Sequence, residues 1–258
     1  TPSAARTAVA GVALVVLGSA LASLVSDRVQ EATLGGPVAE AQGGRAAAGQ
    51  GGRSRPQPAK NALRVLFIGN SYTYVNDLPR MLGQLADSAK VKRPLYTESE
   101  TPGGFTLQRH VTSKRAIERI ETGRWDVVVL QDQSQLPSFS DRQVERKVYP
   151  FARTLSAAAG KADAKTVFFL TWGRKDGDTA NVRTDTFERM QARLDRGYGR
   201  IARELEAPVA PVGRAWRLAV QARPTVELWS GDGSHPSVAG TYLAACVFFE
   251  VLYAKSVL

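Results

Sequence analysis

Two short segments, far apart in the chain, carry residue types that could perform nucleophilic chemistry. The first is Gly69-Asn70-Ser71-Tyr72-Thr73, which follows an apolar, β-branched run and is typical of a turn between a strand and a helix. A serine at a helix entrance exposes its hydroxyl, and the backbone N–H groups that begin the helix can stabilise an oxyanion. Ser71 could therefore be a nucleophile, although Asn70 or Ser71 could instead simply cap the turn.

The second segment is Asp232-Gly233-Ser234-His235-Pro236, which precedes a long apolar stretch. Pro236 suits the first position of a helix, so the preceding loop can turn the Asp232 carboxylate toward His235. The carboxylate could then hold Nδ1–H of the ring and leave Nε2 free to take a proton from a serine hydroxyl. In isolation this segment would be a helix-capping loop, but its combination with Ser71 favours catalysis.

This chain contains few residues that could bind a metal ion or form a disulfide. The sequence contains two histidines, His110 and His235, and one cysteine, Cys246. A single cysteine excludes a disulfide framework within the chain and a cysteine-based zinc site. We expect His110 to be a surface or partly buried helix residue rather than a ligand, and Cys246 to be buried in an apolar helix. Neither a metal nor an organic cofactor is expected.

The elements that position these segments follow an α/β pattern from Asn61 onward. Short apolar runs alternate with longer amphipathic stretches, which predicts a three-layer fold with a parallel sheet of about five strands and helices on both faces. The predicted strands are 64–68, 94–98, 126–130, 166–170 and 208–212. The predicted helices are 78–89, 106–120, 141–159, 181–205 and 236–253. In such open sheets the site lies at the carboxyl ends of the strands.

The amino-terminal part of the chain predicts export. Residues 8–25 are uncharged and apolar all round, which is typical of a signal peptide or a membrane anchor, and Ala20-Leu21-Ala22 resembles a cleavage motif. Residues 29–60 are rich in Gly, Ala, Gln, Arg and Pro, which predicts a disordered linker. We therefore expect a signal or anchor over 1–28, a linker over 29–60 and one folded domain over 61–258, located outside the cytoplasm.

The chain is basic, but its charge pattern does not indicate nucleic-acid binding. It has 258 residues, of which 34 are Lys or Arg and 24 are Asp or Glu, giving a net charge of +10. The basic residues lie mostly on predicted helices and alternate with acidic ones. No nucleic-acid-binding motif accompanies them, so solvated helix faces explain the charge better than a phosphate track.

With these motifs, residues 63–258 resemble the SGNH/GDSL hydrolase superfamily, whose members are serine esterases and related acyl-transfer proteins on a flavodoxin-like sheet. The resemblance rests on Gly-Asn-Ser after the first strand, a glycine after the second, a polar motif after the third and Asp-x-x-His before the last helix. It implies that Ser71 is the nucleophile and that Asp232 and His235 complete a triad. The G-x-S-x-G elbow of α/β-hydrolases is absent from the sequence.

The resemblance also implies an oxyanion hole, and here the sequence departs from the family pattern. The family uses the serine N–H, a glycine N–H and an asparagine side chain from a G-x-N motif; Ser71 and Gly104 match the first two. The third motif reads Gln131-Asp132-Gln133-Ser134-Gln135 and contains no G-x-N. Gln135 takes the asparagine position and Gln133 is the next candidate, because a Gln amide can donate the same hydrogen bond.

Three aromatic residues adjoin these motifs and could line the substrate pocket or simply pack in the core: Tyr72, Trp172 and Trp229. The function implied is an exported esterase that forms an acyl-enzyme, with a small-molecule or polysaccharide ester, such as an O-acetyl group on an envelope polymer, as substrate. An O-acyltransferase would use the same residues. A non-catalytic binding module on the same fold is the third alternative.

Overall fold

A computed structural model describes residues 58–254 of the chain. The predicted signal or anchor segment and nearly all of the predicted linker lie outside the described residues. The centre of the described part is a five-stranded parallel sheet with strand order β2-β1-β3-β4-β5. Its strands are β1 (Leu63–Ile68), β2 (Leu95–Glu100), β3 (Val127–Leu130), β4 (Lys165–Phe169) and β5 (Val209–Ala210).

The strands end level with one another, and this brings the loops that follow them together. Ile68 at the end of β1 pairs with Glu100 of β2 and with Leu130 of β3, and Leu130 pairs with Phe168 of β4. All four residues of β3 are buried, as expected for a strand covered on both faces. The predicted α/β fold with a parallel sheet is confirmed.

Helices cover both faces of the sheet. Within residues 58–254 the α-helices are α1 (Ser71–Tyr74), α2 (Leu78–Ser88), α3 (Leu107–Ser113), α4 (Arg115–Thr122), α5 (Asp141–Lys147), α6 (Tyr149–Lys161), α7 (Phe187–Glu204), α8 (Val212–Ala222) and α9 (Val238–Tyr253). One buried core joins α2, α8 and α9 to one face of the sheet. A second core joins the helices from α3 through α7 to the other face of the sheet. Cys246 lies in the first core, as predicted. Across the described helices, none is long and apolar enough to span a bilayer.

Two of the predicted helices are interrupted. The stretch 106–120 breaks at Lys114, which adopts a left-handed conformation with φ of 60°. The stretch 141–159 breaks at Val148, just before Pro150 in the first turn of α6. Proline has no N–H to donate to the preceding turn and its ring crowds the carbonyl four residues earlier, so α5 cannot continue through this point.

The region between β4 and α9 differs most from the prediction. Helix α7 begins at Phe187 rather than near residue 181, and Thr186 caps it by accepting a hydrogen bond from the Arg189 N–H. Strand β5 has only two residues because the chain enters helix α8 directly after Pro211, and the Gly213 N–H there bonds the Leu170 carbonyl. Helix α8 was not predicted, since an apolar run as short as 208–212 does not by itself distinguish a strand from a helix entrance.

Gly197 allows helix α7 to approach the turn at residues 136–138. A Cβ at this position would overlap the carbonyl oxygen of Pro137. The Gly197 carbonyl also accepts a 2.8 Å hydrogen bond from the Tyr149 hydroxyl. Two residues further along the same helix, a Cβ on Gly199 would meet only the flexible end of Arg203, at 3.4 Å.

This contrast gives a matched pair of substitutions. Gly197→Ala should lower the free energy of unfolding by roughly 1–3 kcal/mol, because the added methyl group overpacks the contact between α7 and Pro137. Gly199→Ala should raise it by up to about 1 kcal/mol, because alanine favours helix without meeting a backbone atom. Urea unfolding followed by circular dichroism measures both values. Equal effects from the two substitutions would contradict this account of Gly197.

Candidate active site

The turn after β1 is organised by the side chain of Asn70. Its Oδ1 accepts a 3.1 Å hydrogen bond from the Tyr72 N–H and so caps helix α1, which begins at Ser71. Its Nδ2 donates a 2.8 Å hydrogen bond to the carbonyl of Phe105. Asn70 is therefore the cap, and Ser71 occupies the first position of the helix with its hydroxyl free for another partner.

The buried side chain of Gln131, the first residue after β3, holds this turn through hydrogen bonds. Its Oε1 accepts hydrogen bonds from the Asn70 N–H at 2.9 Å and from the Thr73 hydroxyl at 3.1 Å. Its Nε2 donates a 3.0 Å hydrogen bond to Asn70 Oδ1. Residue type and spacing alone do not indicate a role for Gln131, but the pairing of β1 with β3 places the amides of Asn70 and Gln131 at the same edge of the sheet.

The structure brings Ser71, His235 and Asp232 into one hydrogen-bonded row. His235 Nε2 lies 2.9 Å from Ser71 Oγ, and His235 Nδ1 lies 2.5 Å from Asp232 Oδ2. The other carboxylate oxygen, Asp232 Oδ1, accepts three 2.9 Å hydrogen bonds, from Ser230 Oγ and from the N–H groups of Ser234 and His235.

These contacts keep Asp232 ionised. Its partial burial would by itself raise the pKa of the carboxyl group, but the hydrogen bonds from His235, Ser234 and Ser230 outweigh this and hold the pKa well below its usual value. An ionised Asp232 can only accept, so His235 Nδ1 carries a proton. In the neutral ring, Nε2 is then an acceptor that faces the Ser71 hydroxyl.

The loop that carries Asp232 and His235 is fastened to the segment that follows β4. Three hydrogen bonds join them: Trp172 Nε1 to the Ser234 carbonyl at 3.0 Å, Lys175 N–H to the Gly233 carbonyl at 2.8 Å, and Trp229 Nε1 to the Gly173 carbonyl at 3.0 Å. The imidazole is thus fixed from the fourth strand as well as by its neighbours in sequence.

Gly104 lies in the loop after β2, where the residue type matters. Its φ is +68°, a conformation that favours glycine, and a Cβ built on it would meet no atom within 4 Å. The loop is joined to the serine turn through the Asn70–Phe105 hydrogen bond described above. Across residues 58–254, neither the Ser71 N–H nor the Gly104 N–H donates a hydrogen bond.

The two glutamines considered for the oxyanion hole have different environments. Gln133 folds its own loop: its Oε1 accepts from the Gln135 N–H at 2.8 Å, and its Nε2 has Gln135 Oε1 and Ser134 Oγ as acceptors at 3.2 and 3.4 Å. Gln135 Nε2 donates a 2.7 Å hydrogen bond to Asp178 Oδ1. An amide NH₂ has two hydrogens, so Gln135 keeps one for another acceptor.

The three aromatic residues differ in how close they come to solvent. Tyr72 and Trp172 are buried and stack on each other with ring centroids 4.6 Å apart, and Trp172 stacks in turn on Trp216. Trp172 is fully buried and therefore packs behind the site instead of lining an accessible surface. Trp229 borders an open groove of about 400 Å³ beside Asp232.

His110 lies in the interior, not at or near the surface as the sequence suggested. It is fully buried, and its Nε2 lies 2.8 Å from the carbonyl of Gly69, immediately before Asn70. Burial lowers the pKa of this imidazole, against the opposing effects of the Gly69 carbonyl and Glu100. A neutral ring that donates Nε2–H to Gly69 supports the serine turn. No group of three metal-ligating side chains occurs in the described part of the chain.

A scan against protein-family models and a search of curated proteins give no match to this sequence. A search of solved structures does. A Slackia heliotrinireducens protein described as an SGNH hydrolase has 32% sequence identity and a TM-score of 0.61, and the match covers 74% of this chain and 98% of that one. The chain belongs to the SGNH hydrolase family.

Other structures share the fold of this SGNH hydrolase at lower identity. A variant of a Geobacillus acetyl-xylooligosaccharide esterase has 15% identity and a TM-score of 0.58, with 76% of this chain and 96% of that one covered. A lipase/acylhydrolase from Enterococcus faecalis has 14% identity and a TM-score of 0.55, with 74% and 95% covered. At these identities the similarity concerns the fold.

Asp132 connects two loops of the SGNH hydrolase site from inside the protein. It is fully buried, and its Oδ1 accepts hydrogen bonds from the Leu107 N–H at 3.0 Å and the Gln133 N–H at 2.7 Å. Its Oδ2 has no partner in the described residues. Burial raises the pKa of Asp132 to about 7, despite the opposing effect of the two backbone N–H groups.

This raised pKa makes stability depend on pH. The folded carboxyl group keeps its proton up to about pH 7, whereas the unfolded one loses it near 3.8, so the unfolding free energy should fall as pH rises between these values. A single titrating group changes the unfolding free energy by at most about 1.4 kcal/mol for each pH unit. Asp132→Asn should flatten the pH dependence of urea unfolding, whereas the exposed control Asp87→Asn should not. An unchanged slope in Asp132→Asn would refute the assignment.

Proposed function

We propose that this SGNH hydrolase is a serine esterase in which Ser71 is the nucleophile, His235 the general base and Asp232 the residue that orients His235. The observation that carries the proposal is the hydrogen-bonded row Ser71 Oγ, His235 Nε2 and Nδ1, Asp232 Oδ2, with separations of 2.9 and 2.5 Å. Nucleophile, base and orienting acid are each within hydrogen-bond distance of the next, as acyl transfer by a serine requires.

The reaction begins with transfer of the Ser71 hydroxyl proton to His235 Nε2 as Oγ attacks the carbonyl carbon of the ester. Asp232, which stays ionised, stabilises the imidazolium that forms. His235 then passes the proton to the departing alcohol oxygen, and the carbon–oxygen bond breaks to leave an ester of Ser71. Water repeats the sequence on this acyl-enzyme, releasing the acid and restoring the serine.

The oxyanion is stabilised by the N–H groups of Ser71 and Gly104 and by the side chain of Gln135. Both N–H groups are without an acceptor in residues 58–254, as an oxyanion hole needs in the absence of substrate. Gln135 is preferred over Gln133 because, among the described residues, its second amide hydrogen has no acceptor, while both hydrogens of Gln133 have one. Asp178 holds the Gln135 amide in a fixed orientation.

The substrate proposed is a small acyl ester, with an O-acetyl group on a carbohydrate or envelope polymer as the first choice. One fact supports this: the fold is shared with an acetyl-xylooligosaccharide esterase. Export through residues 8–25 is also proposed, on the basis of their uncharged, apolar sequence. Cell fractionation would test it, because an exported chain is expected in the envelope or the medium.

Hydrolysis of p-nitrophenyl acetate and butyrate by the full chain tests the triad. Ser71→Ala, His235→Ala and Asp232→Asn should each lower kcat by a factor of roughly 10³ to 10⁶, because they remove members of one proton-transfer unit. A fluorophosphonate probe should label the wild type and not Ser71→Ala. The exposed serine variant Ser88→Ala serves as the control and should behave as the wild type.

Retained turnover in Ser71→Ala, or a folded wild type with neither turnover nor labelling, would overturn the esterase proposal. Turnover with water as the only acceptor distinguishes a hydrolase from an O-acyltransferase, which needs a second hydroxyl compound. The ratio of acetate to butyrate rates limits the size of the acyl pocket.

A pair of glutamine variants tests the third oxyanion donor. Gln135→Leu should lower kcat by about 10²–10³-fold with little change in KM, because the lost hydrogen bond forms in the transition state. Gln133→Leu should have a smaller effect on kcat. Circular dichroism checks that both variants fold. A larger kcat loss in Gln133→Leu would transfer the role to that residue, and no loss in either would exclude a glutamine donor.

A further inference from the structure

Arg174 carries a positive charge beside Ser134 and takes no part in the mechanism above. It is the second residue after the buried Trp172, on the segment that follows β4 and is bonded to the Asp232–His235 loop. The residue is only partly exposed, and its Nε is buried with no hydrogen-bond acceptor in the part of the chain that the structure describes. Its Nη2 makes one long hydrogen bond, 3.3 Å, to Ser134 Oγ.

Two other half-buried arginines of this protein have carboxylate partners, and Arg64, which has none within ion-pair distance in residues 58–254, lies over the rings of Tyr96 and Trp125 instead. Arg193 binds Asp185 through two hydrogen bonds of 2.8 and 2.5 Å, and Arg119 binds Glu98 at 2.7 Å and Glu100 at 3.1 Å. Within residues 58–254, no carboxylate lies within ion-pair distance of Arg174. A partly buried charge without a counter-ion is unfavourable, which favours the binding of an anion beside Arg174.

The position of Arg174 relative to the reacting groups follows from Tyr72, the residue after Ser71. The Tyr72 hydroxyl lies 2.8 Å from Ser234 Oγ, and its ring meets the His235 ring edge-on with centroids 5.7 Å apart. Burial raises the pKa of Tyr72, and Ser234, Ser134 and the positive charge of Arg174 oppose this rise. Arg174 and Ser134 are therefore neighbours of a side chain that contacts the triad histidine.

Hydrogen bonds hold the backbone around Arg174 in place. Its N–H donates to Met190 Sδ at 3.3 Å, and its carbonyl accepts from the Gly177 N–H at 3.0 Å. The next residue, Lys175, donates its N–H to Gly233 in the loop that carries Asp232. An anchored backbone limits the positions that the guanidinium can take, and the planar fork of donors suits specific recognition of a carboxylate.

We propose that Arg174 recognises an anionic group of the substrate, so that the preferred ester carries a carboxylate or similar charge near the scissile bond. This inference rests on the proposed esterase function and deepens it by naming the charge of the substrate. Arg174 is a specificity-determining residue in this account, and its guanidinium supplies the binding contact. The anion can belong to the alcohol or to the acyl portion, and the experiment distinguishes the two.

Two matched pairs of esters test the proposal with the full chain. In the first, 4-acetoxybenzoate carries the charge on the alcohol portion and its methyl ester is the neutral partner. In the second, mono-4-nitrophenyl adipate carries it on the acyl portion and its methyl ester is the neutral partner. The wild type should have a kcat/KM for the anionic member of at least one pair about ten- to a hundredfold above the neutral member, corresponding to one charge-assisted hydrogen-bonded contact.

Arg174→Gln should abolish this preference, and Arg174→Lys should restore part of it because the charge is kept. The exposed arginine variant Arg142→Gln removes the same charge elsewhere and should keep the wild-type ratio. Added salt should lower kcat/KM for the anionic ester more than for the neutral one in the wild type, and this measurement needs no variant to fold. No preference in either pair, or equal losses for both members in Arg174→Gln, would overturn the proposal.

A binding measurement separates this inference from the esterase proposal. Calorimetric titration of Ser71→Ala with 4-acetoxybenzoate, monomethyl adipate and their neutral methyl esters involves no turnover. At least one anion should bind roughly tenfold or more tightly than its neutral partner, and Arg174→Gln on the same background should remove the difference. Anion binding without wild-type turnover would sink the esterase proposal alone. Ser71-dependent turnover with no Arg174-dependent anion binding would sink the inference alone.

Discussion

The turn that carries Ser71 depends on a buried pair of amide side chains, Asn70 and Gln131. Where a parallel strand ends, its backbone loses the neighbours that the sheet provided, yet here the chain remains buried. Gln131 accepts from the Asn70 N–H and donates to the Asn70 side chain, and Asn70 in turn holds the Phe105 carbonyl. Leaving one such buried group without a partner costs about 1–3 kcal/mol. The loops after β1, β2 and β3 are thereby fixed relative to one another.

A second set of contacts fixes the histidine side of the site. The indole N–H groups of Trp172 and Trp229 donate hydrogen bonds that join the segment after β4 to the Asp232–His235 loop. In the core, the ring of Trp172 stacks on the rings of both Tyr72 and Trp216. Aromatic rings of this size have few rotamers and many contacts, so the imidazole approaches Ser71 from a rigid base.

Periodicity and spacing were enough to predict the parallel sheet and the segments that contain Ser71, Asp232 and His235. β-branched runs identify buried strands. In an α/β pattern these strands are parallel, so the loops that follow them lie at the same edge of the sheet. The helix breaks at Lys114 and Val148 were not predictable from amphipathic spacing, which continues through both. Helix α8 was missed because Pro211 ends a strand and Val212 begins a helix with hardly any polar residue between them.

The roles of Gln131, His110 and Arg174 depend on contacts across the fold rather than on spacing. Nothing in the sequence near His110 indicates that its ring reaches the carbonyl of Gly69, 41 residues away. A lone arginine such as Arg174 is equally common on a solvated face, and only its partial burial with neither a carboxylate partner nor an aromatic ring beneath it in residues 58–254 sets it apart from the other arginines discussed above. The tethering of loops by buried polar groups is therefore what single-sequence reasoning identifies least well.

The row from Ser71 to His235 joins residues that are 164 positions apart. During synthesis the serine turn emerges early, and the sheet can begin to assemble around it before the imidazole exists. The row can close only after the loop at 230–235 has left the ribosome and α9 has packed against α2 and the sheet. A nascent chain that has not yet reached residue 235, or one terminated before it, therefore exposes a serine hydroxyl without its proton acceptor.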